Sequence, residues 1–128
     1  MLVNFGSFGV VLCLMMACSP PVTISLDADG FENKINETPN PQLVDVRTFE
    51  EYRAGYLVGA MLMDVRRTTF QTQIQRLDRE RPVFVYCRSG RRSLDAAKIL
   101  ERNDFKVVYN LKGGINEWIE KGKAVELR

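Results

Sequence analysis

A chain of 128 residues, 45% apolar and 27% charged, has the size and composition of one soluble globular domain with room for a real core. Its net charge of +2 is too small to recommend nucleic acid or an acidic membrane surface as a partner. There is no histidine, which removes Ser/His/Asp and Cys/His catalysis and most zinc sites; the three cysteines, at 13, 18 and 87, lack the CxxC spacing of a dithiol or a zinc ribbon, so no metal site is expected.

Residues 1–18 carry no Asp, Glu, Lys or Arg. Their apolar run, Phe8 to Ala17, is about ten residues long, too short to span a bilayer and suited to a signal-peptide core. The run ends Leu14-Met15-Met16-Ala17-Cys18 before Ser19-Pro20-Pro21 and resembles a bacterial lipoprotein signal, cut before a cysteine whose sulfur takes the lipid. Met15 stands where that signal usually has Leu, and no Lys or Arg precedes the run. The expectation is a signal over 1–18 with lipidation at Cys18, a linker over 19–21 and a folded domain over 22–128. Such a protein is exported and lies on the periplasmic side of a bacterial membrane as a lipoprotein, or free in the periplasm. With Cys13 removed and Cys18 a thioether, Cys87 is the one thiol left, so no intramolecular disulfide forms.

Val22 to Ser25 reads as a strand, and Asp27 or Asp29 caps a helix through Phe31 and Ile35. Thr38-Pro39-Asn40-Pro41 stops it, since proline neither donates nor lets its predecessor stay helical. Leu43 to Val46 is a buried-strand run, followed by a Thr48…Glu51 capping box opening a short helix that ends near Gly55. Ala60 to Met63 is a third strand. Phe70, Ile74 and Leu77 recur at helical spacing and predict an amphipathic helix over 67–78, with Asp78 to Pro82 as a solvated turn. The strand 83–86 leads to Cys87, a polar loop, and a helix to Arg102 with Asn103 as its left-handed cap. Val107 to Tyr109 is the last strand, and Ile115, Trp118 and Ile119 mark a final helix whose apolar face, Trp118 included, packs on the core. Strands alternating with helices predict an α/β fold whose mainly parallel five-stranded sheet carries helices on both faces.

Ligands of such sheets bind at the carboxyl ends of the strands, where Cys87 falls. Val83-Phe84-Val85-Tyr86-Cys87-Arg88-Ser89-Gly90-Arg91-Arg92-Ser93 is strand, tight loop and helix start. That geometry aims backbone N–H groups and a helix dipole at one point, with Arg88, Arg91 and Arg92 adding positive charge. A thiol there is pulled below its usual pKa of ~8.5, which makes Cys87 a candidate nucleophile. The bland alternative, a buried structural cysteine, sits poorly with three arginines in the next five residues.

Four segments in order resemble the rhodanese-like family, in particular its single-domain sulfurtransferases of the thiosulfate type. Leu43-Val44-Asp45-Val46-Arg47-Thr48 with Glu51-Tyr52 is similar to the family's early segment, and Gly55-Tyr56-Leu57-Val58-Gly59-Ala60 to its "G-H-I-x-G-A" turn, with Tyr56 at the usual histidine. Tyr86 to Ser93 is similar to its cysteine loop, and Leu111-Lys112-Gly113-Gly114 to Trp118 to its closing segment.

The resemblance implies that Cys87 accepts a sulfane sulfur from thiosulfate, polysulfide or a similar anion, becomes a persulfide, and yields the sulfur to a thiol or to cyanide. It needs no cofactor, and a monomer is expected, touching a membrane only through its lipid anchor. The backbone N–H groups of Arg88, Ser89, Gly90, Arg91 and Arg92 are expected to hold the donor, with Arg88 and Arg92 as side-chain contacts and Arg91 turned to solvent. The resemblance further implies that Asp45 and Ser93 support the loop and that Arg47 faces the pocket; a structural ion pair is the alternative for Asp45 and Arg47. A cysteine phosphatase or arsenate reductase is disfavoured because its arginine stands six residues after the nucleophile, where this chain has Ser93. A non-catalytic sulfur carrier or anion-binding module is the rival of another class.

Overall fold

The structure, a computed structural model, describes residues 1–3, 9, 12 and 18–128. Cys13 and most of the apolar 1–18 segment lie outside the described residues. The chain runs β1 (Val22–Leu26), α1 (Ala28–Glu37), β2 (Gln42–Asp45), α2 (Phe49–Arg53), β3 (Tyr56–Leu57), β4 (Met61–Leu62) and α3 (Phe70–Gln73). It continues through β5 (Val83–Tyr86), α4 (Arg91–Arg102), β6 (Val107–Leu111), α5 (Gly114–Glu120) and β7 (Val125–Glu126). Five strands form one sheet in the order β1-β6-β5-β2-β4 with every neighbouring pair parallel. Strand β5 is central, so the loop that follows it opens at the middle of the sheet's carboxyl edge.

Alternation along β5 divides the core. Val83 and Val85 face α3 and α4, where they meet Phe70, Ile74, Ala97 and Leu100. Phe84 and Tyr86 face α1 and α5 and meet Phe31, Ile115 and Trp118. Each such side chain contributes roughly 1.5–3 kcal/mol when fully buried. Cys87 continues the first series, which directs its side chain under α4. Trp118 packs edge-on against Phe31 and donates its Nε1–H to Ala124 O at 2.9 Å, as a core residue with a satisfied polar tip.

Local signals set the helix starts. Asp27 rather than Asp29 caps α1, its Oδ1 accepting from Gly30 N at 2.8 Å. Thr48 and Glu51 close the capping box of α2. Two expectations are corrected, and one pairing is new. The helix over 67–78 is only α3 plus a single 3-10 turn, Ile74–Arg76. No side chain caps its start, residues 67–72 are held by i→i+3 bonds, and the tighter turn still buries Phe70, Ile74 and Leu77. Asn103 is not left-handed (φ −99°); its Nδ2 donates back to Ile99 O at 2.7 Å, and Asp104 (φ 64°) makes the turn instead. Tyr56–Leu57 pairs antiparallel with Val125–Glu126, a two-stranded ladder too short to leave a period in the sequence.

Candidate active site

Cys87 leaves β5 at a point where three backbones converge. Gly90 sits at φ 101°, and a Cβ there would lie 2.1 Å from Lys112 O. Gly114 sits at φ 61°, and its Cβ would lie 2.3 Å from Arg88 O. Only glycine permits both the angles and the approach. The first turn of α5 then closes on the loop, with Ile115 N donating to Cys87 O at 2.9 Å and Asn116 N to Arg88 O at 3.1 Å.

Cys87 is 1% exposed, and its sulfur turns into the loop. It accepts from Gly90 N at 3.1 Å and lies 3.4 Å from Ser93 Oγ, which also reaches Gly90 O at 3.1 Å. Burial pushes the thiol pKa up, but hydrogen bonds from the Ser93 hydroxyl and from the amides of Ser93, Gly90 and Ser89 outweigh it, and Cys87 titrates below the ordinary thiol value. The amides and one hydroxyl supply the larger part of this stabilisation, and of the three arginines expected to add charge it is Arg92 that couples to the sulfur. As the thiolate forms, the Ser93 hydroxyl can turn its proton from Gly90 O to the sulfur.

The arginines divide into two kinds. Arg88 and Arg91 are exposed at the mouth of the loop. Arg92, expected as an anion contact, instead presents both nitrogens to Glu51, at 2.7 and 2.8 Å. Arg47 is 4% exposed, grips Asp45 with Nε and a terminal nitrogen, and also donates to Gly55 O at 2.6 Å. Asp45 makes no contact with loop residues 88–92; it accepts from the Tyr86 hydroxyl at 2.6 Å and so acts through the residue before the cysteine. That hydroxyl accepts in turn from Leu57 N at 3.1 Å, and burial followed by the Asp45 charge keeps the phenol well above its usual pKa. Tyr56 stacks on Tyr52, with ring centres 4.2 Å apart.

Beside the loop opens a pocket of about 270 Å³, its wall including Arg47, Glu51, Gly55, Arg88, Ile115 and Asn116. Sequence reasoning missed the second role of Glu51, the Tyr86 hydroxyl and the α5 amides. Glu51 and Arg92 are 41 positions apart, a separation with no local signature. Among the described residues no group of acidic, Cys or His side chains is placed to hold a metal ion.

A cysteine whose thiol pKa is lowered by loop amides and a serine hydroxyl, at the carboxyl end of the central strand of a parallel sheet, has the setting of a sulfur nucleophile. Residues 27–121 match the family model described as the rhodanese-like domain, and the chain belongs to that family. A sulfurtransferase of Allochromatium vinosum is 30% identical over 100 residues, covering 78% of this chain and 92% of that protein. The uncharacterized protein YqhL of Bacillus subtilis is 35% identical over 83 residues, 65% of this chain, which spans 64% of YqhL's length. Among solved structures, the polysulfide-sulfur transferase homodimer of Wolinella succinogenes aligns at a TM-score of 0.69 with 30% identity, covering 83% of this chain and 80% of that one. Sulfur transfer or sulfur carriage is the class of function these matches support.

Proposed function

We propose that the chain is a sulfurtransferase that moves a sulfane sulfur from thiosulfate or polysulfide to a thiol, or to cyanide in an assay, through a persulfide on Cys87. The observation that carries this reading is the Cys87 sulfur, which accepts from the Gly90 amide and lies beside Ser93 Oγ, with no second thiol near it among the described residues and no histidine in the sequence. Cys87 Sγ attacks the donor's outer sulfur, a new S–S bond forms, and the old one breaks with its electron pair leaving on sulfite or on the shortened polysulfide. The loop amides that hold the thiolate face the incoming sulfur and spread its negative charge. An acceptor thiolate then attacks the outer sulfur, and Cys87 leaves as the thiolate. Polysulfide as donor draws support from the Wolinella relative's name.

The apolar segment ending at Cys18 supports an exported, lipid-anchored form. Cys18 is exposed and precedes β1, at the amino ends of the strands, whereas Cys87 lies at their carboxyl ends, so a lipid on Cys18 leaves the nucleophile facing away from the bilayer. Radiolabelled palmitate incorporated by the wild type and lost in Cys18→Ala supports this; no label contradicts it.

The test of the transfer reading is intact mass before and after thiosulfate or polysulfide, with cyanide added last. A gain of about one sulfur, ~32 Da, reversed by cyanide and absent in Cys87→Ser is the expected result. Steady-state turnover separates an enzyme from a carrier that loads but discharges slowly. No gain from either donor contradicts the proposal.

A further inference from the structure

Some cationic side chains are paired with a carboxylate and others are left exposed, and the exposed ones include several that follow β4 and β5. Around α1 and α5 three lysines are paired, Lys34 with Glu37, Lys121 with Asp29, and Lys123 with Asp29 and Glu32, while Lys112 is exposed and unpaired among the described residues. Near the cysteine loop, Arg47 and Arg92 are paired inward. Arg66 and Arg67, which follow β4, and Arg88 and Arg91, which follow β5, are exposed and form no ion pair among the described residues. Arg66 and Arg91 line one hollow of about 430 Å³ with Arg92, Val65, Ile99 and a single carboxylate, Asp95. Leu94, one turn after Arg91 on α4, is 43% exposed.

Four unpaired arginines on the segments that follow β4 and β5, the second of which carries the nearly buried sulfur, are more than a small donor anion requires, since the loop amides already face that position. Guanidinium groups bind carboxylates through two parallel hydrogen bonds, and arginine beside an exposed apolar residue is a common anchor of protein interfaces. We propose that Arg66, Arg67, Arg88 and Arg91 form a docking rim for an acidic protein thiol, which collects the sulfur from Cys87; this rests on the persulfide reading above. The acceptor's thiolate attacks the outer persulfide sulfur, its own persulfide forms, the Cys87 S–S bond breaks, and Cys87 returns as a thiolate. The rim's field raises the encounter rate of an acidic partner, while a compact acceptor such as cyanide needs no rim contact.

The test loads the full chain with polysulfide and confirms the gain of ~32 Da at Cys87. Single-turnover discharge is then followed to three acceptors: a cysteine peptide flanked by Asp and Glu, one of equal length flanked by Lys, and cyanide. At low salt the acidic peptide is expected to discharge Cys87 at least ~10-fold faster than the basic one. Flanking carboxylates raise the peptide thiol's own pKa, so a larger thiolate fraction does not produce this order. The gap is expected to close at about 1 M salt, where charges are screened beyond ~3 Å. It is also expected to close in Arg66→Gln/Arg67→Gln, with discharge to cyanide unchanged. Equal rates for the two peptides, or a preference that survives in the double variant, overturns the rim while leaving the persulfide intact. Failure to load with sulfur overturns the persulfide reading itself, and the rim with it.

Discussion

Two arginine–carboxylate pairs flank the nucleophile, alike in chemistry and opposite in setting. Arg47–Asp45 is buried, at 4% and 0% exposure, and its hydrogen bonds are completed by Gly55 O and the Tyr86 hydroxyl. Arg92–Glu51 is part-exposed and bridges α4 to α2 across the mouth of the loop. The first holds β2 against the residue that precedes Cys87; the second steadies the residue beside Ser93. Burial decides what each pair contributes. Removing one member of a buried pair strands a charge, whereas an exposed pair is diluted by water.

The sharpest way to break this comparison is Arg47→Met, which keeps volume and leaves Asp45 uncompensated. A loss of about 3–5 kcal/mol in urea unfolding is expected. Gly114→Ala comes next, since its Cβ meets Arg88 O in a backbone conformation that alanine resists. A cost of about 2 kcal/mol or more is expected, with the Cys87 thiol pKa rising as the amides move. Tyr86→Phe removes one hydroxyl from the buried network and should cost about 1–3 kcal/mol, with Cys87 reactivity lowered less than in Gly114→Ala.

Glu51→Gln should have the smallest effect on stability. Glutamine still completes the capping box, so only the ion pair is lost, at about 1 kcal/mol or less near neutral pH. The Arg92 contact, against some opposing burial, holds the Glu51 carboxyl down from 4.5 to about 2. A carboxyl depressed on folding stabilises above its unfolded value and loses that contribution as pH falls. Urea midpoints of the wild type should therefore fall relative to those of Glu51→Gln between about pH 4.5 and 2. Parallel pH profiles would show that the pair is not formed in solution.

How much of this was legible depended on the range of the interaction. The cysteine loop, the central strand and the capping box are written within a few residues, and each appears where local spacing placed it. Of the closing glycines, Gly114 takes a left-handed φ of 61°, while Gly113 keeps an ordinary φ of −89°. Glycine at 114 is required by a backbone more than twenty positions upstream, which no spacing reveals. Arg92 was read by its place in the loop and so assigned to the ligand, because its partner Glu51 lies on another helix. The 67–78 helix was overextended for the reverse reason: apolar periodicity registers burial of Phe70, Ile74 and Leu77, but one short helix and a 3-10 turn bury them as well.

The central claim is that backbone amides and Ser93, rather than the exposed Arg88 and Arg91 side chains, lower the Cys87 thiol pKa. The direct test is the pH dependence of Cys87 alkylation, resolved by peptide mass in the wild type, Ser93→Ala and Arg88→Gln/Arg91→Gln. The account predicts a wild-type midpoint below the ordinary thiol value of ~8.5, a rise in Ser93→Ala, and little change in the arginine variant. A midpoint at or above that value, or a larger rise in the arginine variant than in Ser93→Ala, would contradict it.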